Sequence, residues 1–160
     1  MSTYSTVKTN RRLSTMRNEV GMGNIRIFYS PEFQKGYKEA AKRHKSFDKD
    51  FDRFLKCYLN GDIKSIECMS GMPKGCQGFN VSKFKKFRCS EINKGSRSGY
   101  RIIYSEYRGC VLFVQCYFKA NAELEDRKLI CNSLSTVRDG SCKGHYVEQT
   151  KPKSREIFRN

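Results

Sequence analysis

Apolar positions recur along this chain at two different periods, and the switch between them marks out its elements. Ile25, Ile27 and Tyr29 alternate with Arg26 and Phe28 and stop at Ser30-Pro31. This predicts a short strand, then a helix with serine at its N-cap and proline in its first turn. Phe33, Tyr37, Ala40 or Ala41 and His44 follow at helical spacing, leaving Lys35, Lys38, Glu39 and Lys42 on the outward face. Ser46 is placed to cap a second helix, in which Phe47, Phe51, Phe54, Leu55 and Tyr58 share one stripe until Asn60-Gly61 supplies a left-handed stop. A link of about two residues makes the two helices antiparallel or sharply bent.

Beyond Ile63 to Cys68, the stretch SGMPKGCQGFN is glycine-rich and reads as loop. Three strand-like runs follow, Phe84 to Cys89, Tyr100 to Ser105 and Cys110 to Phe118, the last two joined by a hairpin-sized turn at Glu106 to Gly109. The run from Cys110 is apolar on both faces, which predicts a central position in the sheet. A last helix is expected from about Ala122 to Leu134, carrying Leu124, Lys128 and Leu129. The order β, α, α, β, β, β, α predicts an α+β fold: a helical hairpin packed on one face of a small antiparallel β-sheet, with a C-terminal helix. Residues 1–23 and 138–160 are polar and basic, and are expected to be tails around a single domain at 24–137. Met16 and Met22 are alternative starts, and the basic first segment also suits an organelle transit peptide.

Charge narrows the possible partners. Lys and Arg number 32 against 16 Asp and Glu, for a formal net charge of +16 and a pI of about 9.7. Such a balance favours polyanions: RNA, DNA, a ribosome, an acidic protein or an anionic membrane surface. The longest apolar run, CVLFVQC, is far shorter than the about 20 residues that cross a bilayer, so no membrane span is expected. Eight cysteines are scattered without paired spacing, several inside apolar segments, which predicts reduced thiols in a cytoplasmic protein. Cys142-Lys-Gly-His145 with Cys131 upstream falls short of a zinc-site pattern, and no metal or other cofactor is expected.

The remaining chemistry lies in KFKKFRCSEINKGSRSGYRIIY, from Lys83 to Tyr104. Strand alternation puts Lys86 and Arg88 on one face and Phe87 and Cys89 on the other; on the next strand it separates Arg101 and Ile103 from Tyr100 and Ile102. If the aromatic sides pack on the helices, Lys86, Arg88 and Arg101 meet on the open face as a phosphate site. A merely solvated basic face is the competing reading. Lys94 and Arg97 lie in the intervening loop, while Glu91, Glu106, Glu123 and Glu125 are the nearby acids. His44 reads as a half-buried packing residue. No nucleophile–base pair or metal-carboxylate set is evident, which leaves attack of an RNA 2′-hydroxyl on its own phosphate, assisted by cations, with a lysine or carboxylate moving protons.

The ordered series FKKFRC…GSRSGYRIIYSEYRGCVLFVQCYFKANAELED resembles the RelE/HigB superfamily of type II toxin–antitoxin toxins, nearest the HigB-like branch, over about Asn24 to Leu134. The shared pattern is a K-x-R strand, a basic glycine-containing loop, an arginine before aliphatics and tyrosine, and a Tyr-x-Lys strand end. The resemblance implies a RelE-like fold and a metal-independent mRNA interferase acting on the ribosome, against rRNA, with a cognate antitoxin as partner. It implies catalytic roles for Lys86, Arg88, Arg101 and Lys119, with RNA contacts from Lys83, Lys85, Lys94 and Arg97. The chain departs from RelE at Ala120, where RelE has arginine, and around Asn121 and Glu125, where no tyrosine matches its stacking tyrosine. A non-catalytic binding module of this fold, acting on a protein as the ParE branch does or on RNA, is the alternative.

Overall fold

The computed structural model describes residues 25–63, 66–73, 76, 78–120, 126–137 and 147–148. The chain forms β1 (Arg26–Tyr29), α1 (Pro31–Arg43), α2 (Phe47–Leu59), β2 (Ile66–Cys68), β3 (Asn80–Phe84), β4 (Tyr100–Tyr107), β5 (Cys110–Phe118), α3 (Arg127–Ser135) and β6 (Val147–Glu148). Short 3-10 turns at Ser90–Ile92 and Gly95–Arg97 fill the β3–β4 connection. The strands form one sheet in the order β2-β3-β4-β5-β1-β6.

The fold is α+β, but the sheet is mixed rather than antiparallel. β1 runs parallel to β5, from Arg26 opposite Cys110 to Tyr29 opposite Phe113. The whole helical hairpin and β2–β4 intervene between these neighbours, the kind of long crossover that parallel pairing requires and local alternation cannot reveal. Within the expected C-terminal tail, Val147 and Glu148 pair antiparallel with Tyr29 and Phe28. The expected N-terminal tail, Glu123, Leu124, Glu125, Cys142 and His145 lie outside the described residues.

Both hairpin helices form where their stripes predict. Ser30 caps α1: its Oγ accepts from Phe33 N at 3.0 Å and donates to the Val114 carbonyl at 2.6 Å. Val114 is the extra residue of a β5 bulge between Ile103 and Tyr104, so the cap also satisfies a carbonyl the ladder leaves open. Ser46 precedes α2 but makes no side-chain cap bond. Its Oγ instead donates to Asp50 Oδ2 at 2.9 Å and accepts from Glu91 N at 3.2 Å. Asn60 and the left-handed Gly61 (φ 78°) end the helix. The third helix starts at Arg127, with Asp126 Oδ1 accepting from Leu129 N at 3.0 Å.

The hairpin packs on one sheet face through aromatic rings. Phe51 meets Tyr29, Phe33, Tyr37, Phe54 and Phe113 at centroid separations between 5.2 and 6.3 Å. On the opposite face Phe28, Val81, Ile103, Leu112 and Val114 pack with Ile130, Leu134 and Val137. β5 therefore lies between β4 and β1 in the sheet and is covered on both faces, as its unbroken apolar run requires.

The strand expected from Phe84 to Cys89 ends where it was to begin. β3 is Asn80–Phe84, with Phe84 opposite Ile102. Past that point side chains take over the bonds of a ladder: Arg101 Nη1 donates to the Lys85 carbonyl at 3.0 Å and Ser98 Oγ donates to the Phe87 carbonyl. Phe87 and Cys89 still turn into the helix-side core.

Cys110 is disulfide-bonded, which corrects the expectation that all eight cysteines are reduced. The other described cysteines, 57, 68, 76, 89, 116 and 131, are free thiols. Disulfide formation depends on spatial approach, which sequence spacing does not disclose. Among the described residues, no helix is long and apolar enough to cross a membrane.

Candidate nucleic-acid interface

Tyr100, Ile102 and Tyr104 face the helices, so alternation directs Arg101 and Ile103 to the opposite face. Register then assembles a row across four strands, Glu67, Lys83, Ile103 and Gln115. One step along the sheet, Arg101 stands directly opposite Tyr117. Lys83 and Arg101 form a diagonal pair, a relationship that spans about 7–8 Å in such ladders. Lys119 follows Tyr117 on the same side, held by its N–H donating to the Gly99 carbonyl at 2.8 Å.

Arg101 uses its Nη1 on the Lys85 and Tyr100 carbonyls, at 3.0 and 3.3 Å, which anchors the guanidinium near the sheet surface. A guanidinium has five N–H donors, so others remain to face a ligand. Lys85 Nζ is paired with Glu67, both side chains 46% exposed. Gln115 Oε1 is buried and has no hydrogen-bond partner among the described residues. Lys94 and Arg97 are exposed, Arg97 closing the turn that leads into β4.

Lys86 and Arg88 are placed elsewhere. They are exposed, and they line a cavity of about 220 Å³ with Asp50, Arg53, Phe54, Cys57, Ile63, Phe84 and Phe87. They flank α2, while Arg101 addresses the other side of the sheet. Lys83 and Arg101 thus share one sheet face, with Lys85 paired to Glu67 beside them, while Lys86 and Arg88 line the cavity with Arg53.

Other groups have structural engagements. His44 packs edge-on to Tyr100 at 5.7 Å and lies 3.8 Å from Glu91. Glu106 is buried and accepts from Tyr58 Oη at 2.8 Å. Burial raises the Cys89 and Cys116 thiols above their ordinary value, so neither is offered as a thiolate near neutrality. Among the described residues, no group of three or more His, Cys, Asp or Glu is gathered to hold a metal ion. Glu67, Gln115 and Tyr117 join the face without having been singled out from sequence. Only the register of β2, β3 and β5 against β4 brings them there. No protein-family model, curated protein or solved structure matches this chain.

Proposed function

We propose that this chain is the toxin of a RelE/HigB-like toxin–antitoxin pair, an endoribonuclease that cleaves mRNA on the ribosome in the cytoplasm and is silenced by a cognate antitoxin. The observation that supports this reading is the cationic group beside the part of the sheet that α3 covers, with Lys83 and Arg101 half-buried on one face and Lys85 and Lys119 exposed near them. Arg101 and Lys119 hold the scissile phosphate and offset the charge that builds on it. The 2′-hydroxyl attacks its own phosphorus, and the bond to the departing 5′ oxygen breaks, leaving a cyclic phosphate and a 5′-hydroxyl. Glu67 takes the 2′ proton and its partner Lys85 supplies one to the leaving oxygen. Tyr117, opposite Arg101, offers an aromatic ring to a base.

A binding module that does not cleave is the second reading, favoured by the exposed Ala120 directly after Lys119, where RelE carries an arginine. The deciding experiment induces wild type, Arg101→Ala and Lys83→Ala/Lys85→Ala, then maps 5′ ends on translated mRNA. New ends that vanish in the variants support the nuclease. Growth arrest without new ends sinks it in favour of binding.

A further inference from the structure

The cavity beside α2 carries an inference that is independent of RNA cleavage and uses different residues. Its walls are Phe54, Phe84, Phe87, Ile63 and Cys57, and its rim carries Arg53, Lys86 and Arg88. We propose that it docks an acidic peptide segment of a partner protein, which inserts one large apolar side chain and lays flanking carboxylates on the rim cations.

Size argues for a single side chain. A cavity of about 220 Å³ is below the about 300–1,000 Å³ of cofactor and small-molecule sites, yet suits an aromatic or leucine anchor. The chemistry of the floor argues against a nucleobase, whose edge must find hydrogen-bond partners once buried. The buried carboxylate there, Asp50, is already engaged. Its Oδ2 accepts from Ser46 Oγ at 2.9 Å and Ser90 N at 2.8 Å, and its Oδ1 from Ser90 Oγ at 2.6 Å, with Arg53 at 3.5 Å. Four contacts use up the acceptor sites of a carboxylate.

The rim supplies the sign of the partner. The Arg53 side chain is 68% exposed, and Lys86 and Arg88 are exposed and engage no carboxylate among the described residues. Asp50 is committed to Ser46, Ser90 and Arg53, so Lys86 and Arg88 flank an apolar opening with no free counter-charge in its lining. Acidic groups flanking an apolar anchor complement that arrangement, as in recognition of acidic motifs by arginine clusters.

The test uses the full chain and a fluorescein-labelled acidic heptapeptide with phenylalanine at its centre, read by fluorescence anisotropy at physiological salt. The same peptide with central serine, and a labelled uridine octamer, serve as comparators. Binding is expected to fall at least about tenfold for the serine peptide, because the anchor's burial is lost. A comparable fall is expected for Cys57→Phe, which fills the cavity, and for Lys86→Glu/Arg88→Glu, which reverses two exposed cations of the rim. The second variant keeps the test valid if the first does not fold by circular dichroism. Equal binding of the serine peptide, or wild-type affinity in Lys86→Glu/Arg88→Glu, overturns the proposal. So does octamer binding that Cys57→Phe abolishes while the acidic peptide shows none, which assigns the cavity to a nucleobase. None of these readouts depends on cleavage, so failure here and failure of the nuclease reading are separable.

Discussion

Gly36 of α1 lies so close to the Cys116 carbonyl of β5 that a Cβ built on it stands 2.0 Å from the oxygen. By helix propensity alone, alanine at this mid-helix position would gain about 1 kcal/mol. The neighbour is backbone and cannot swing away, so α1 must lift from the sheet. Gly36→Ala is expected to lower stability by about 1–3 kcal/mol, the usual range for overpacking, measured by urea denaturation. A stabilised variant would refute the close approach.

Asp50 ties α2 to the segment after Phe87 through Ser46 and both the N–H and hydroxyl of Ser90. Asp50→Ala removes the acceptor these donors share; Asp50 itself is only 3% exposed, while Ser90 reaches the surface. The expected loss is about 2–3 kcal/mol. Ser90→Ala removes one donor and should cost less, and a double-mutant cycle should show strong coupling between the two positions.

Alkaline pH should unfold the domain steeply. Burial raises Tyr29, Tyr37, Tyr100 and Tyr104 above the ordinary 10.0, with Asp52 adding to the effect on Tyr29 and Asp48 to that on Tyr37. Burial likewise raises Cys116 above 9.0. Each group holds its proton more tightly folded than unfolded, so its contribution is intact below the unfolded value and is lost as pH climbs from about 9 upward. Absorbance at alkaline pH should show these phenols ionising together with unfolding rather than before it. Independent titration of the phenols near 10 in the folded state would contradict their burial.

Affinity for single-stranded RNA should depend on salt in proportion to the cations it meets. Removing Lys119 or Lys83 is expected to reduce the slope of log affinity against log salt by about 0.7 each. Arg101→Lys keeps the charge but loses the fork that the Lys85 carbonyl positions. It should therefore weaken binding with little change in slope.

Thiol counting checks the Cys110 bridge. Denatured protein kept from reductant is expected to present six thiols, and reduced protein all eight. A count of eight before reduction would return Cys110 to the free cysteines.

Much of the architecture was legible in local pattern. The stripes of α1 and α2, the cap at Ser30, the stop at Asn60-Gly61, the β4–β5 hairpin and the central place of β5 are each set by residues close together in the chain, or by apolarity that demands cover on both faces. The boundary at Phe84 was not legible. KFKKFRC alternates like a strand, yet Arg101 and Ser98, distant in sequence, take the carbonyls that a neighbouring strand would have used.

By itself the sequence determined the strongly basic charge, the helical hairpin and the turning of Arg101 away from it, because charge and periodicity are properties of short stretches. Tertiary structure alone decided that Lys83 stands diagonally to Arg101 and that Lys85 pairs with Glu67. It also set β1 parallel to β5 and gave Lys86 and Arg88 a cavity of their own. Register across a sheet depends on which strands become neighbours, and that choice is made by packing of the whole core.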